Sequence, residues 1–417
     1  MAGGRVHIIG AGLAGLAAAL RLDAAGVDVV LHEATDHAGG RCRSYFDTAL
    51  GASIDNGNHL LLSGNRATLA YLESIGASDK LLGPDEAAFD FADLVSGERW
   101  RIRLNDGRLP WWILLPGRRV PGSRPKDYLA ALRLLRAPGG ARIGDTLDRT
   151  APLYARLWRP ILLAALNTEP ELASAALAGA VMRETLLAGG RACRPLVATG
   201  GLSGALVNPA LARLERGGRD VRFGRRLRAI ELGAERALAL DFGAERIALG
   251  PDDQVILAVP PWVATSLLPE LAAPQEFRAI VNAHFRVDPP KDLPRILAVV
   301  NGQVEWLFAF EDRLSVTISG ADRLMDADRE PLARSLWAEV AKLADLPETL
   351  PAWQIVKEKR ATFAALPEQE QLRPATQSRW QNLLLAGDWT ATGLPATIEG
   401  AVRSGFRAAA LARESRL

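Results

Sequence analysis

An α/β fold, with a parallel-sheet domain interleaved with an α+β domain, is predicted by three features of this 417-residue chain. The first is an apolar strand, Val6-His7-Ile8-Ile9, running directly into Gly10-Ala11-Gly12-Leu13-Ala14-Gly15 and an alanine-rich helix, Leu13–Ala25. The second is the alternation of strand and helix signals over residues 5–75, the rhythm of a parallel sheet covered by helices. The third is length: 417 residues exceed one ordinary core, so two domains are expected.

The opening element is a Rossmann-like dinucleotide fold. Gly10 permits the tight turn, Gly12 lets backbone approach a pyrophosphate, and Gly15 lets helix lie close on strand. Leu13 and Ala14 begin the helix whose N–H groups face that anion. Glu33, eighteen residues after Gly15, closes a second strand, Val27–His32, where a carboxylate accepts ribose hydroxyls; Ala34 follows it. The fingerprint alone leaves NAD and FAD open. Arg5 before an apolar run also suits a secretory leader, but three glycines at fingerprint spacing break that run.

Beyond residue 75 the rhythm changes. Residues 76–150 are rich in Pro, Gly and Arg, and Leu153–Leu187 reads as helical with a break near Glu169-Pro170. A helix over Leu202–Leu214, a turn at Gly217-Gly218, and a strand from Val221 through Arg222-Phe223-Gly224-Arg225-Arg226-Leu227 follow. Val255–Val259 is a buried strand stopped by Pro260-Pro261. Short strands (Ile280–Val287, Ile296–Val300, Leu314–Ser319) and a helix near Leu332–Leu343 fill 262–375. A last strand, Asn382–Ala386, leads into a glycine-containing helix. The cofactor domain is expected in three pieces (1–75, 196–261, 379–417), separated by two pieces of a substrate domain (76–195, 262–378).

Composition narrows the classes. No apolar stretch approaches the ~18 residues needed to span a bilayer. Two distant cysteines, Cys42 and Cys193, argue against a disulfide framework and fit a reducing cytoplasm. Five scattered histidines offer no metal-ligand spacing, and a net charge of +2 does not point to nucleic acid. Charge is nevertheless uneven. Residues 101–149 carry eleven Arg/Lys against four Asp/Glu, beside Trp111-Trp112-Ile113-Leu114-Leu115 and a helix-like Asp127–Arg136 with Leu129, Leu132 and Leu135. Basic residues among Trp and Leu suit an interfacial membrane contact; the plain alternative is a solvated face of a cap domain.

Further motifs carry a resemblance. Gly39-Gly40-Arg41, shortly after Glu33, offers close backbone approach and a planar cationic fork for phosphate. Near the carboxy terminus, Leu385-Ala386-Gly387-Asp388-Trp389-Thr390 is followed by Ala396-Thr397-Ile398-Glu399-Gly400-Ala401. Gly387-Asp388 ends a strand, and the following helix aims its positive end at whatever lies before it. Together these resemble the flavin amine oxidase and phytoene desaturase superfamily, whose FAD-binding domain is glutathione-reductase-like. The resemblance implies non-covalent FAD held by Gly10, Gly12, Leu13, Ala14, Gly15, Glu33, Ala34, Gly40, Arg41, Gly387, Asp388, Ala396, Thr397 and Ile398. It implies Gly57 and Asn58 along the flavin ring and Leu227 pairing with adenine through its backbone. Asp55 and His59, in Ile54-Asp55-Asn56-Gly57-Asn58-His59, are the titratable pair it brings near the ring, as general acid or water-orienting groups.

One branch is most similar: the hydroxysqualene dehydroxylases, through Asp55–Leu62, Arg119-Val120-Pro121-Gly122, Leu163–Thr168 and Gly387–Pro395. That branch implies reductive removal of an allylic hydroxyl from hydroxysqualene, an apolar isoprenoid, with an external electron donor that the residues do not identify, at the inner face of the cytoplasmic membrane. Amine oxidation fits less well. The strand Ile280–Phe285 lacks the lysine those enzymes place beside the flavin, and Thr397 stands where they carry an aromatic residue. A carotenoid-type desaturase and a non-catalytic prenyl-lipid carrier are the other readings.

Overall fold

The computed structural model describes residues 4–415; the outermost positions of the expected domain pieces, 1–3 and 416–417, lie outside the described residues. Its first body is a parallel five-stranded sheet with strands in the order Asp220–Arg222, Val29–His32, Val6–Ile9, Gln254–Leu257, Leu383–Leu385. Ile8 lies opposite both Leu31 and Ile256, and Ile256 opposite Leu384. The three central strands are buried at every position, which explains their unbroken Val/Ile/Leu content: both faces of a parallel sheet are covered. One face packs on the helices Leu13–Asp23 and Ile398–Glu414. The other packs on a small antiparallel sheet, Ala229–Leu232, Ala237–Asp241 and Arg246–Ala248, whose neighbour Phe242 stacks on His32.

The second body is a seven-stranded sheet in the order Trp353–Phe363, Phe277–Arg286, Arg313–Ile318, Trp306–Ala309, Ile296–Val300, Ala88–Asp93, Arg99–Arg103. Val281, Ala283, Phe285 and Val316 pack on the helix Arg329–Ala344. The opposite face carries Trp306 and Phe308 against an aromatic cluster from the helical segment, including Trp112, Tyr128 and Trp158.

Three sequence expectations are corrected. Residues 76–150, read as irregular, contain the hairpin Ala88–Asp93/Arg99–Arg103, which joins the second sheet. Arg99, Arg101 and Arg103 point outward while Trp100 and Ile102 are buried, the alternation of a sheet edge hidden among arginines. The opposite edge, Trp353–Phe363, was disguised by Lys357-Glu358-Lys359-Arg360. Second, Asp127–Arg136 is not an α-helix but part of a 3₁₀ helix, Pro125–Arg136, which turns Leu129 and Leu132 outward while Tyr128, Ala131 and Leu134 are buried. Third, the strand at Val221 ends at Arg222: Gly224 takes a left-handed φ of 66°, and the chain bends there. Leu227 is therefore buried in the connection to Ala229–Leu232 rather than in a strand.

Candidate active site

The two ends of the chain meet through glycine. A Cβ on Gly15 would stand 1.9 Å from the Gly10 carbonyl oxygen, so helix and strand approach only without one. A Cβ on Gly405 would stand 2.2 Å from the Ala14 carbonyl oxygen, so the closing helix lies directly on the opening one. At Gly12 an added Cβ meets nothing within 4 Å. Gly12 caps the helix Leu13–Asp23, whose first turn has neither a capping side chain nor an acidic residue. Leu13, Ala14 and Gly15 precede the first bond of this helix, from the Leu16 N–H to the Gly12 carbonyl, and their N–H groups are a donor set suited to an anion.

Glu33 is pinned at the end of its strand. Its carboxylate accepts the Ala11 N–H at 2.8 Å and the Thr35 N–H and hydroxyl at 2.9 Å each. The Gly39-Gly40 turn folds back on the fingerprint: the Gly39 N–H donates to the Ala11 carbonyl at 2.9 Å, and a Cβ on Gly40 would sit 3.6 Å from the Gly12 Cα. Ala34 lies between these two, in the bend after Glu33. The same turn delivers Arg41 to the other end of the chain. Its Nη2 donates to both Asp388 carboxylate oxygens at 2.7 Å, and its Nη1 to the Ala361 carbonyl at 2.6 Å.

Around Asp388 the carboxy-terminal loop is heavily braced. Gly387, at φ 147°, donates its N–H to Ser404 Oγ, and a Cβ there would strike the Trp389 ring. Trp389 is fully buried and its indole N–H donates to the Val259 carbonyl at 2.9 Å. Arg373, which no motif marked, is buried to its guanidinium. Its Nη2 donates to the carbonyls of Asp388 (3.0 Å) and Thr390 (2.5 Å) and to Thr392 Oγ1 (2.7 Å), while Nη1 pairs with Glu370 at 2.6 Å. Thr397 caps the helix Ile398–Glu414, accepting the Gly400 N–H at 3.0 Å, with Ala396 just before it and Ile398 buried in its first turn. Glu399 is not aimed at this site: its buried carboxylate accepts the N–H groups of Ala67 and Thr68 and pairs with Arg403.

The middle motif meets the second sheet. Asn58 donates its side-chain amide to Thr317 Oγ1 at 3.0 Å, and its backbone N–H approaches Asn282 Oδ1 at 3.3 Å. A Cβ on Gly57 would sit 3.1 Å from Asn282 Nδ2. Asn58 Oδ1 and Asn282 Nδ2 are nonetheless buried without a protein partner. A buried acceptor and donor left unpaired are costly, so this junction fits a planar hydrogen-bonding group such as a flavin ring. Asn282 stands on the strand already noted for lacking lysine; the pattern of the strand marked the position, but not its contact with Asn58.

The titratable pair separates. Asp55 is buried and its Oδ1 accepts Ser44 Oγ at 2.6 Å and the Leu202 N–H at 2.9 Å, tying its hairpin to the turn at Gly200-Gly201. Burial pushes its carboxyl above the usual carboxylate range, against those two hydrogen bonds. His59 has its imidazole lowered to about 4 by burial and by the nearby Arg41 charge, so it is neutral at pH 7. Asp55 and His59 share no hydrogen bond with each other.

The comparisons identify the family. The family model described as "Flavin containing amine oxidoreductase" matches residues 13–412. The chain is 58% identical to a hydroxysqualene dehydroxylase of Rhodopseudomonas palustris over 97% of both chains, and 56% identical to one of Sinorhizobium fredii over 98% of both. A hydroxysqualene dehydroxylase of Zymomonas mobilis is 47% identical over 97% of this chain and 98% of its own length. Among solved structures, cyclohexylamine oxidase from Brevibacterium oxydans superposes at a TM-score of 0.69 with 19% identity over 99% of each chain. A putrescine oxidase double mutant reaches 0.71 with 18% identity, again over 99% of each. These two show the fold alone. The match of the family model over residues 13–412, together with relatives 47–58% identical along nearly the whole chain, makes this chain a flavin-dependent oxidoreductase: it belongs to the flavin-containing amine oxidoreductase family and, within it, to the hydroxysqualene dehydroxylases.

Proposed function

We propose that the protein reductively dehydroxylates hydroxysqualene to squalene. The observation that carries this reading is the end-to-end similarity, at 47–58% identity, to enzymes of that name. The second sheet supports it in one respect: the strand that carries Asn282, read over Ile280–Phe285, has no lysine of the kind that serves amine oxidation.

Bound FAD, reduced by an external electron donor, supplies the hydride that replaces the allylic hydroxyl, and a proton departs with that hydroxyl as water. The remaining work falls to the chain. The fingerprint N–H groups and Arg41 would hold the pyrophosphate, Glu33 the ribose and Asp388 the ribityl chain, and Leu227 would pair with adenine through its backbone. Ala34, Gly40, Gly57, Ala396, Thr397 and Ile398 let backbone lie close to the cofactor, and Asn58 with Asn282 meets the ring. Non-covalent binding is supported by the two cysteines: both are buried, and burial raises the Cys42 thiol well above its usual range and pushes Cys193 to about 12. His59, neutral, is the hydrogen-bonding partner assigned to the leaving hydroxyl, and Asp55 positions its loop. Replacing His59 by Phe should lower turnover at least about tenfold with flavin retained, and Gln should recover part of it; equal rates in all three would remove His59 from the reaction.

A ~30-carbon isoprenoid is retained by membranes, since each buried CH₂ contributes about 0.8 kcal/mol. Among the described residues no helix is long and apolar enough to cross a membrane. Segment 101–149 instead exposes Leu109, Trp111, Leu114, Leu115, Leu129 and Leu132 among its basic residues, supporting peripheral contact with the inner face of the cytoplasmic membrane. The test of activity is anaerobic incubation of protein, FAD and dithionite with hydroxysqualene, followed by mass spectrometry of extracted lipid. Squalene that depends on reduced flavin supports the reading. No squalene, with desaturation of phytoene under oxidising conditions, would replace it by the carotenoid reading.

A further inference from the structure

A cleft of 650 Å³ opens between residues 120–133 and 147–158, within the segment just described and outside the cofactor cradle. Its floor is apolar, with Val120, Leu147, Leu153 and Trp158 buried. Lys126 and Arg133 are exposed at its margin, and among the described residues neither is held in a salt bridge or hydrogen bond, though the charge of Arg133 acts on Asp148 across the cleft. The other charged groups lining it are engaged. Arg156 donates to Glu98 and to the Pro121 carbonyl and lies over the Trp100 ring. Asp127 accepts the Arg124 N–H at 2.7 Å, and Asp148 accepts the Thr150 N–H and hydroxyl at 2.9 and 2.7 Å. Two cations without a hydrogen bond, facing an apolar floor and set beside the carboxylates of Asp127 and Asp148, suit an anion that also carries an alkyl chain.

The surroundings say where such an anion comes from. Leu129 lines the cleft and is 54% exposed, and Leu132 follows it on the same 3₁₀ helix. The neighbouring turn with exposed Trp111 and Leu114 is locked to that helix through Trp112, edge-on to Tyr128 at 5.1 Å. The cleft therefore opens among side chains suited to the headgroup layer of a bilayer. We infer that it binds the headgroup of an anionic phospholipid, with the phosphate between Lys126 and Arg133 and the first methylenes on the Val120–Leu153 floor. This rests on the membrane reading above and turns diffuse attraction into a discrete lipid site that anchors the protein where its substrate is dissolved.

Monomeric dihexanoyl-phosphatidylglycerol, titrated against the FAD-loaded protein by calorimetry, is the probe. Saturable binding is expected. It should weaken at least about tenfold in K126E/R133E and in the cleft-filling A151W, and stay within about twofold in R108E/R136E, which removes the same charge outside the cleft. Three results would overturn the proposal: no saturable binding by the unaltered protein, equal loss in R108E/R136E, or inorganic phosphate binding as tightly as the lipid. Dehydroxylation assayed in detergent micelles separates the two readings. Lipid binding without any squalene would sink the proposed activity and leave the cleft, whereas squalene formation without lipid binding would do the reverse.

Discussion

The fingerprint region and the 101–149 segment sit at opposite extremes of how a chain can build a surface for a ligand. In the first, side chains are removed: Gly10, Gly15, Gly40 and Gly405 bring backbone to backbone, Gly387 makes room for the Trp389 ring, and the Arg41–Asp388 contacts are short. In the second, side chains are displayed: six large apolar residues stand outward among basic ones, four of them, Trp111, Leu114, Leu129 and Leu132, on 3₁₀ turns. Nucleotide recognition needs fixed N–H geometry at a few atoms, whereas a lipid surface needs area and charge. A rigid site tolerates almost no substitution, and a displayed one tolerates nearly any that keeps its character.

Glycine is where that contrast breaks most sharply. Gly15→Val places a side chain within 1.9 Å of the Gly10 carbonyl and should yield protein purified without flavin, read from absorbance per chain. Gly117→Ala, in the displayed segment, meets nothing within 4 Å and should keep a full complement. Flavin retained by the first variant would refute the close-approach argument.

Arg373 tests whether the cradle is held from behind. Arg373→Met strands Glu370 and the carbonyls of Asp388 and Thr390, and should cost about 3–5 kcal/mol in urea unfolding. Arg373→Lys should recover only part, because an ammonium lacks the planar fork. A stability unchanged within error in the Met variant would show that the loop stands without it.

A smaller effect concerns acid. Burial lowers His32 and His284 to about 3 and His59 to about 4. Each is neutral in the native protein while the unfolded chain binds a proton near pH 6.5, so stability is fully present above that pH and is lost as pH falls through about 4 for His59 and about 3 for the other two. His284→Gln, which can keep a bond to Ser315, should flatten the melting-temperature loss between about pH 6.5 and 4.5. An unchanged slope would remove His284 from the acid response.

The smallest effect on stability should come from the displayed region. Trp111→Ser with Leu114→Ser should change unfolding by no more than about 0.5 kcal/mol and leave flavin content intact. Flotation on anionic vesicles should nevertheless fall. Unaltered flotation would reassign these side chains to an ordinary solvated face.

Legibility in the sequence followed the same division. The central strands read clearly because parallel strands buried on both faces are continuous apolar runs, and the fingerprint read clearly because its glycines serve each other at fixed spacing. The edge strands Arg99–Arg103 and Trp353–Phe363 did not, since an edge carries charge outward and resembles a loop. Arg373 was silent for a different reason: its partners lie in a loop 15 to 19 residues away, and no spacing rule connects them. The reading of Val221–Leu227 as one strand failed because a single left-handed glycine outweighs a favourable apolar pattern.

By itself, then, the chain determined a dinucleotide fingerprint, because backbone approach and phosphate binding depend on residues a few positions apart, and the likeness of its distant motifs to one superfamily pointed to flavin. Only the tertiary structure decided that Asp55 is tied to Ser44 and Leu202, that Arg41 closes on Asp388, and that Asn282 comes to face Asn58. Those pairings join segments eleven to nearly 350 residues apart. They are selected by which buried polar groups find partners once the two sheets have packed, a choice that no local pattern encodes.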